Sequence, residues 1–158
     1  MMEHAEHSPA AIREKAAGAV NCQSVTLPSG LTVLCRTMPG YSSVHAMYAT
    51  NFGSVVREFP LNGKRIQLPA GTAHFLEHKM FESEQGDAFD LYAKTGAAAN
   101  AFTSYDRTCY IFTATGMTDE NLDILLNMVG HPWFTKETIA KEQGIIGQEI
   151  KMYDDSPD

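Results

Sequence analysis

The sequence has few basic residues, and this shortage excludes one broad class of partners. Its 158 residues include 12 lysines and arginines against 19 aspartates and glutamates, which gives a formal net charge of -7. A surface that binds nucleic acid or anionic lipid needs clustered positive charge. We therefore expect neither nucleic acid nor a membrane among the partners.

Long apolar runs and paired cysteines are also missing. No stretch approaches the roughly 18 apolar residues of a membrane-spanning helix, and residues 1–20 lack the pattern of a secretory or mitochondrial leader. Cys22, Cys35 and Cys109 are odd in number and far apart, which predicts buried free thiols without a disulfide framework. The expected location is a reducing cytoplasm.

The composition that is present, 44% hydrophobic and 20% charged, is that of a soluble globular domain. We expect a polar segment over 1–20, with a short helix over 9–18, and then one domain over 21–158. Strands are predicted within 23–38 as a hairpin around Pro28-Ser29-Gly30, and over 43–51, 97–105 and 109–115, with a polar loop over 60–71. Helices are predicted over 72–81, 87–95, 118–130 and 136–152.

Two of these helices have clear start signals. Thr118 is expected to be the N-cap of the third helix, and Thr135 that of the fourth. The third helix ends at Gly130-His131-Pro132. Its predicted apolar stripe consists of Leu122, Leu125, Leu126 and Val129.

The chemistry centres on the pentapeptide His-Phe-Leu-Glu-His over residues 74–78. Residues four apart on a helix differ by about 40° around the axis and about 6 Å along it, so His74 and His78 leave one face and can share a zinc ion. Glu77 lies beside them, within reach of a metal-bound water. The H-x-x-E-H order is that of the inverzincins. Roughly 0.016 such matches are expected in a shuffled chain of this composition.

The pentapeptide also has an interpretation without metal. On an amphipathic helix, both histidines can be surface or satisfied core residues, and Glu77 a solvated charge. A third ligand would favour zinc. The last predicted helix offers Glu142 and Glu149, which are seven residues apart and so lie on nearly the same side.

The side of the last helix that carries these carboxylates is also partly apolar. Ile139, Ile146 and Ile150 share or flank it, and buried carboxylates need a partner such as a metal. Gly144 and Gly147 each cost the helix about 1 kcal/mol relative to alanine. We therefore expect another element to pack closely against them.

Taken together, these segments resemble the pitrilysin/insulinase family of inverted-zincin metallopeptidases, in particular its small bacterial members related to processing peptidases. In that family a glutamate ligand follows the HxxEH helix by roughly seventy residues, with a second glutamate seven residues before it. Here Glu149 follows His78 by 71 positions, and Glu142 precedes Glu149 by seven. The stretch GAAANAFTSYDRTCYIF over 96–112 is similar to the family strand that pairs with substrate backbone.

The resemblance implies a fold class and a site. The fold is α/β in the α+β sense: a mixed, largely antiparallel sheet packed by helices, forming one half of a clamshell metallopeptidase that is incomplete at its C-terminus. The implied zinc ligands are His74, His78 and Glu149. The resemblance further implies that Glu77 is the general base, that Glu142 orients a ligand histidine, and that Asn100 and Ala101 contact the substrate.

The implied activity is endopeptidase cleavage of extended peptides, with one Zn²⁺ per chain and Glu77 activating a zinc-bound water. The alternative is a metal-retaining, non-catalytic peptide-binding or partner subunit. The family also implies a homologous second domain or partner chain, and we expect the isolated piece to be weakly active or inactive. A bacterial cytoplasm is the implied location. Lys79 departs from the hydrophobic residue that many relatives have at its position.

Overall fold

The computed structural model describes residues 22–154. Its strands, in chain order, are β1 (Gln23–Thr26), β2 (Thr32–Cys35), β3 (Val44–Thr50), β4 (Glu58–Leu61), β5 (Lys64–Gln67), β6 (Glu82–Ser83), β7 (Gly86–Asp87), β8 (Ala98–Thr103) and β9 (Thr108–Ala114). Its helices are α1 (Thr72–Lys79), α2 (Ala88–Thr95), α3 (Thr118–Gly130) and α4 (Lys136–Asp154). None of the helices in this range is both long and apolar enough to cross a membrane.

The chain divides into two compact units, and the boundary lies between Tyr41 and Ser42. Within the first, β1 and β2 pair antiparallel from Gln23 opposite Cys35 to Thr26 opposite Thr32, which confirms the predicted hairpin. The helix predicted over 9–18 lies outside the described residues. The expectation of buried thiols holds for Cys109, whereas the Cys35 side chain is exposed.

The second unit is built on an antiparallel sheet in the order β3-β9-β8. Tyr110 of β9 lies between Tyr48 of β3 and Ala101 of β8. All three strands were predicted, and their ends differ from the prediction by at most two residues. The structure thus confirms the mixed fold class with antiparallel pairing.

The core of this unit lies where α2 and α3 contact β8 and β9. Its buried members are Phe81, Ala88, Tyr92, Tyr110, Phe112, Ala114, Leu125 and Met128. The Tyr92 and Phe112 rings pack at a centroid separation of 5.8 Å. Burial of these side chains provides the main driving force for folding of the unit.

The ends of α2 and α4 follow from their sequence signals. Asp87 caps α2 by accepting the Phe89 N–H at 2.8 Å, and Gly96 ends it in the left-handed region at φ 73°. At the start of α4 the Thr138 N–H donates to Thr135 Oγ1 at 3.2 Å, which confirms the predicted cap. The α1 helix ends at Lys79, two residues before its predicted end.

The predicted loop over 60–71 is wrong, because the hairpin of β4 and β5, which runs from Glu58 to Gln67, covers most of it. Asn62 and Gly63 make the turn with φ values of 50° and 73°. Asn-Gly is the preferred dipeptide where both central residues need positive φ, so the signal was present in the sequence. The proline in β4 and the polar composition obscured it. The short β6-β7 hairpin was also missed.

The N-cap assigned to Thr118 is also wrong. Thr118 is the first residue of α3, and the preceding Met117 has a left-handed conformation at φ 51° with no side-chain cap. Asn121 secures this end, since its Nδ2 donates to the carbonyl oxygens of Gly116 at 3.1 Å and Met117 at 2.8 Å. Of the predicted stripe, Leu125 is buried and Val129 packs against the core, whereas Leu122 and Leu126 are exposed. The other buried residues of α3 are Asn121 and Met128.

Two glycine-containing regions differ in how closely they pack. A Cβ built at Gly144 or Gly147 meets no described atom within 4 Å, so the predicted close packing against α4 is wrong. A Cβ at Gly53 would lie 2.6 Å from the carbonyl oxygen of Ser104, in the β8-β9 connection. Only glycine therefore fits at position 53 without moving that connection.

Candidate metal centre

The α1 helix presents three chemical groups within two turns. Gly71 precedes it in the left-handed region, and Thr72 Oγ1 donates to the Pro69 carbonyl at 2.8 Å, which fixes where the helix begins. The His74 and His78 rings meet edge to face with centroids 4.6 Å apart. The predicted shared face of the two imidazoles is therefore present.

The α4 helix packs against α1 and brings Glu149 to the two histidines. Glu149 Oε2 lies 3.7 Å from His74 Nε2 and 3.8 Å from His78 Nε2. One nitrogen or oxygen atom from each of these residues lies within 4.8 Å of the others. The three side chains are partly exposed, so the group opens toward solvent.

Glu142 lies behind His78 and is buried. Its Oε1 is 2.8 Å from His78 Nδ1. An ionised carboxylate only accepts hydrogen bonds, so Nδ1 is the donor in this contact and Nε2 is the ring nitrogen turned toward Glu149. This contact orients the imidazole in the way that outer carboxylates orient metal-binding histidines.

The Glu77 carboxylate contacts the sheet. Thr103 Oγ1, at the end of β8, donates to Glu77 Oε2 at 2.5 Å. Nearby, the Tyr110 hydroxyl lies 3.5 Å from the Leu76 carbonyl, and burial together with the Glu77 charge raises the pKa of this phenol. Tyr110 therefore stays neutral beside the carboxylate.

An open cleft of about 320 Å³ adjoins these groups and is lined by residues of α1, β8 and α4, among them Glu77, Asn100 and Ala101. The β8 strand pairs with β9 on one side and has no partner on its other side within residues 22–154. The Ala101 N–H donates to Asn100 Oδ1 at 2.9 Å. The structure thus brings His74, His78 and Glu149 together and places Glu77, Asn100 and Ala101 along the adjoining cleft.

The donor set fits a zinc ion. Two imidazole nitrogens and one carboxylate oxygen are the protein ligands of a catalytic zinc site, which keeps a further position open. Tetrahedral ligands at about 2.1 Å from an ion lie about 3.4 Å apart. The separations of 3.7 and 3.8 Å are slightly wider. Magnesium and calcium, which prefer oxygen ligands, fit this set poorly.

Residues 67–158, more than half of the chain, match the family described as Insulinase (Peptidase family M16). The chain belongs to this family. The uncharacterized zinc protease YmfH of Bacillus subtilis (strain 168) is 46% identical over 134 residues, which cover 84% of this chain and 31% of that protein. The recognised resemblance is thereby confirmed.

Solved structures of M16 peptidases share the fold of this chain. An M16-like peptidase from Alicyclobacillus acidocaldarius superposes with a TM-score of 0.84 at 39% identity, covering 90% of this chain and 34% of that one. Pitrilysin superposes with a TM-score of 0.65 at 22% identity, covering 89% of this chain and 15% of its own. This M16 chain therefore spans about a third of the length of its nearer relatives.

Sequence reasoning missed two contacts around the centre. The first is the hydrogen bond from Thr103 to Glu77, which nothing in the spacing of these residues indicates. The second is an ion-pair chain in which Lys79 and Lys141 bind the two oxygens of Glu82. One hint of this ion-pair chain was present in the sequence: Lys79 is charged at a position where many relatives have a hydrophobic residue.

Proposed function

We propose that the chain supplies the zinc-binding part of a metalloendopeptidase, with His74, His78 and Glu149 as ligands and Glu77 as general base. The observation that supports this most is the convergence of three ligand atoms within 4.8 Å, on two helices whose ligands are 71 positions apart in sequence. If the His-x-x-Glu-His pentapeptide had arisen by chance on a surface helix, nothing would bring a carboxylate from a distant part of the sequence beside its two histidines.

Zinc bound in such a site supplies a Lewis acid that polarises the scissile carbonyl and acidifies water. Glu77 contributes the proton transfers. Thr103 donates to its Oε2, and we assign to the other oxygen, Oε1, the acceptance of a proton from the attacking water. The new hydroxide bonds to the carbonyl carbon, and Glu77 then passes the proton to the amine nitrogen as the C–N bond breaks.

Glu142 keeps one ligand in place during these transfers. Because it accepts the hydrogen bond from His78 Nδ1 at 2.8 Å, the ring turns Nε2 toward the proposed metal position as the ligand atom. Its burial protects this hydrogen bond from competition by water. We assign Glu142 a positioning role and no direct contact with substrate.

The substrate class that fits the cleft is an extended peptide. The side of β8 that has no partner strand within the described residues offers backbone groups for strand addition, a mode that recognises the main chain and reads few side chains. The Ala101 N–H donates to Asn100 Oδ1, so a bound peptide must displace the Asn100 side chain before its own carbonyl can accept from that N–H. Asn100 and Ala101 are therefore the proposed substrate-contacting residues.

A second homologous domain or chain completes the proposed enzyme. The chain spans 31% of YmfH and 34% of the Alicyclobacillus peptidase, so two thirds of those proteins have no counterpart here. The proposal is that residues 21–158 form the zinc-binding domain and that the second half encloses the peptide against it. A non-catalytic peptide-binding subunit is the competing outcome.

The test is Glu77→Gln, which keeps the size of the side chain but removes the base. Zinc per chain, measured by elemental mass spectrometry after dialysis, should stay near one, and cleavage of an unfolded reporter peptide should fall at least 100-fold. The assay is run with the chain alone and with a supplied homologous second half. Glu84→Gln, at an exposed neighbouring site, is the matched control.

Unchanged turnover in Glu77→Gln would remove Glu77 from the mechanism. A parent chain that binds zinc and peptide but cleaves nothing, with or without the second half, would favour the binding subunit. A folded parent without zinc contradicts the metal assignment itself.

A further inference from the structure

The carboxylate of Glu82 lies between a buried and an exposed lysine. Its Oε2 pairs with Lys79, and its Oε1 accepts from Lys141 Nζ at 2.9 Å. Lys79 is 0% exposed, the Glu82 side chain 16% and the Lys141 side chain 65%. The three residues form one chain of charges, which we call the lysine bridge, that runs from the end of α1 through β6 to α4.

The buried end of the lysine bridge fixes the position of Glu82. A charged group without water needs an opposite charge, and Glu82 provides it for Lys79. The Lys79 ammonium also lies 5.9 Å from the centre of the Phe134 ring, just before α4. Both lysines lower the pKa of Glu82, with the hydrogen bond from Lys79 as the largest cause. The carboxylate is therefore ionised and already ordered.

The exposed end of the lysine bridge attaches α4 to this ordered group. An isolated surface ion pair contributes little, largely because two flexible side chains must be ordered. Here Lys79 already holds the Glu82 carboxylate in place, so only the Lys141 side chain must be ordered when the second pair forms. Lys141 precedes Glu142, whose carboxylate meets His78, and Glu149 follows two turns later on the same helix.

We propose that the lysine bridge is a positioning device: through Lys141, Glu82 sets α4 against α1 so that Glu149 faces the histidines before metal arrives. The inference rests on the proposed function, because its consequence is a higher affinity for zinc. The Glu82–Lys141 pair connects the segment after α1 to α4, and neither of its residues is a proposed metal ligand. Its formation therefore does not require an ion at the centre.

The sign of the effect separates this proposal from simple electrostatics. Lys141 carries a positive charge near a centre that would hold a dication, so removing the charge alone should tighten zinc binding. Removing a positioning contact should weaken it. Lys141 is exposed, so its replacement should not prevent folding.

The experiment measures the zinc affinity of the parent, Lys141→Met and Lys141→Arg by competition with a chromophoric chelator, with the metal-free melting temperature as a second readout. We expect Lys141→Met to bind zinc about 3- to 10-fold more weakly and Lys141→Arg to come within about twofold of the parent. Lys136→Met removes a charge from the same helix outside the lysine bridge and should bind no more weakly than the parent.

Zinc binding by Lys141→Met that equals or exceeds the parent's overturns the inference and leaves the proposed function intact. Equal weakening in Lys136→Met also overturns it, since the effect would then belong to helix charge. A lower melting temperature with unchanged affinity assigns the lysine bridge to stability alone. A folded parent that takes up no zinc removes the proposed function, and the inference fails with it.

Discussion

The helices meet their neighbours in two chemically different regions. Where α2 and α3 cover the sheet, the contact is apolar and centres on Tyr92, Phe112 and Leu125. Where α1 and α4 meet, the contact consists of imidazoles, carboxylates and lysines, such as the His78–Glu142 hydrogen bond. Apolar contact tolerates small shifts, whereas hydrogen bonds depend steeply on distance and angle. Stability and site geometry therefore have separate sources in this fold.

The largest expected effect is on the apolar region. Phe112→Ala should lower the free energy of unfolding by about 3–5 kcal/mol, because it empties a fully buried site that the surrounding rings cannot fill. Denaturant unfolding monitored by circular dichroism measures this. Zinc affinity of the remaining folded molecules should change less than about twofold.

A matched control for this change is Met47→Ala, on the same sheet but exposed. Its expected effect is within about 0.5 kcal/mol. If Phe112→Ala weakened zinc binding tenfold in folded protein, the separation of the two regions would be disproved.

A smaller effect is expected in the polar region from Glu142→Gln. The amide keeps the shape of the side chain but loses the charge that holds His78 Nδ1–H, so zinc affinity should fall about 10- to 100-fold. Chelator competition at neutral pH gives the affinity, and metal-free unfolding gives the stability, which should change little. Glu137→Gln, in the exposed first turn of α4, is the control. Parent-like zinc binding in Glu142→Gln would argue against its positioning role.

The smallest expected effect is on the pH dependence of the free energy of unfolding, to which the two regions should contribute in opposite directions. Burial raises the pKa of Tyr92 to about 12, so its contribution to stability is complete below the unfolded value of about 10 and is lost as pH rises toward 12. The pKa of Glu82 is lowered, so its contribution is present above the unfolded value near 4.5 and is lost as pH falls through the lower folded value.

Metal-free unfolding across pH, repeated with two variants, tests this response. Tyr92→Phe should reduce the loss of stability on the alkaline side only, where buried Tyr110 also contributes, and Glu82→Gln should reduce the loss on the acid side only. Glu82 is faced by Lys79 and Lys141, and Asp87 and Glu142 act on Lys141 in turn, so the acid side should also depend on ionic strength. Identical profiles for parent and variants would contradict the assigned causes.

Much of the fold could be predicted because its signals are local. Asp87 and Gly96 bound α2 through the cap and left-handed turn that their side chains favour. The gathered site residues were also predictable, since helical periodicity places His74 near His78 and the spacing to Glu149 matches a family. At Thr118 the expected side-chain cap is absent, and a left-handed Met117 and the Asn121 amide in the first turn of the helix secure its start instead.

The parts that could not be predicted depend on contacts between distant segments. Thr103 reaches Glu77 only because the end of β8 passes beside α1. Lys141 reaches Glu82 only because α4 crosses the segment that follows α1. No periodicity encodes such contacts, and a single sequence offers only the unusual residue, such as Lys79, as a hint.

The close approach at Gly53 has a consequence for how the sequence can evolve. The backbone of Ser104 leaves no room for a side chain at Gly53, so a substitution there would shift the connection that follows Thr103. Thr103 in turn holds the oxygen of Glu77. The space around Gly53 therefore limits which residues position 53 can accept, because a larger residue there would disturb the contact between Thr103 and Glu77.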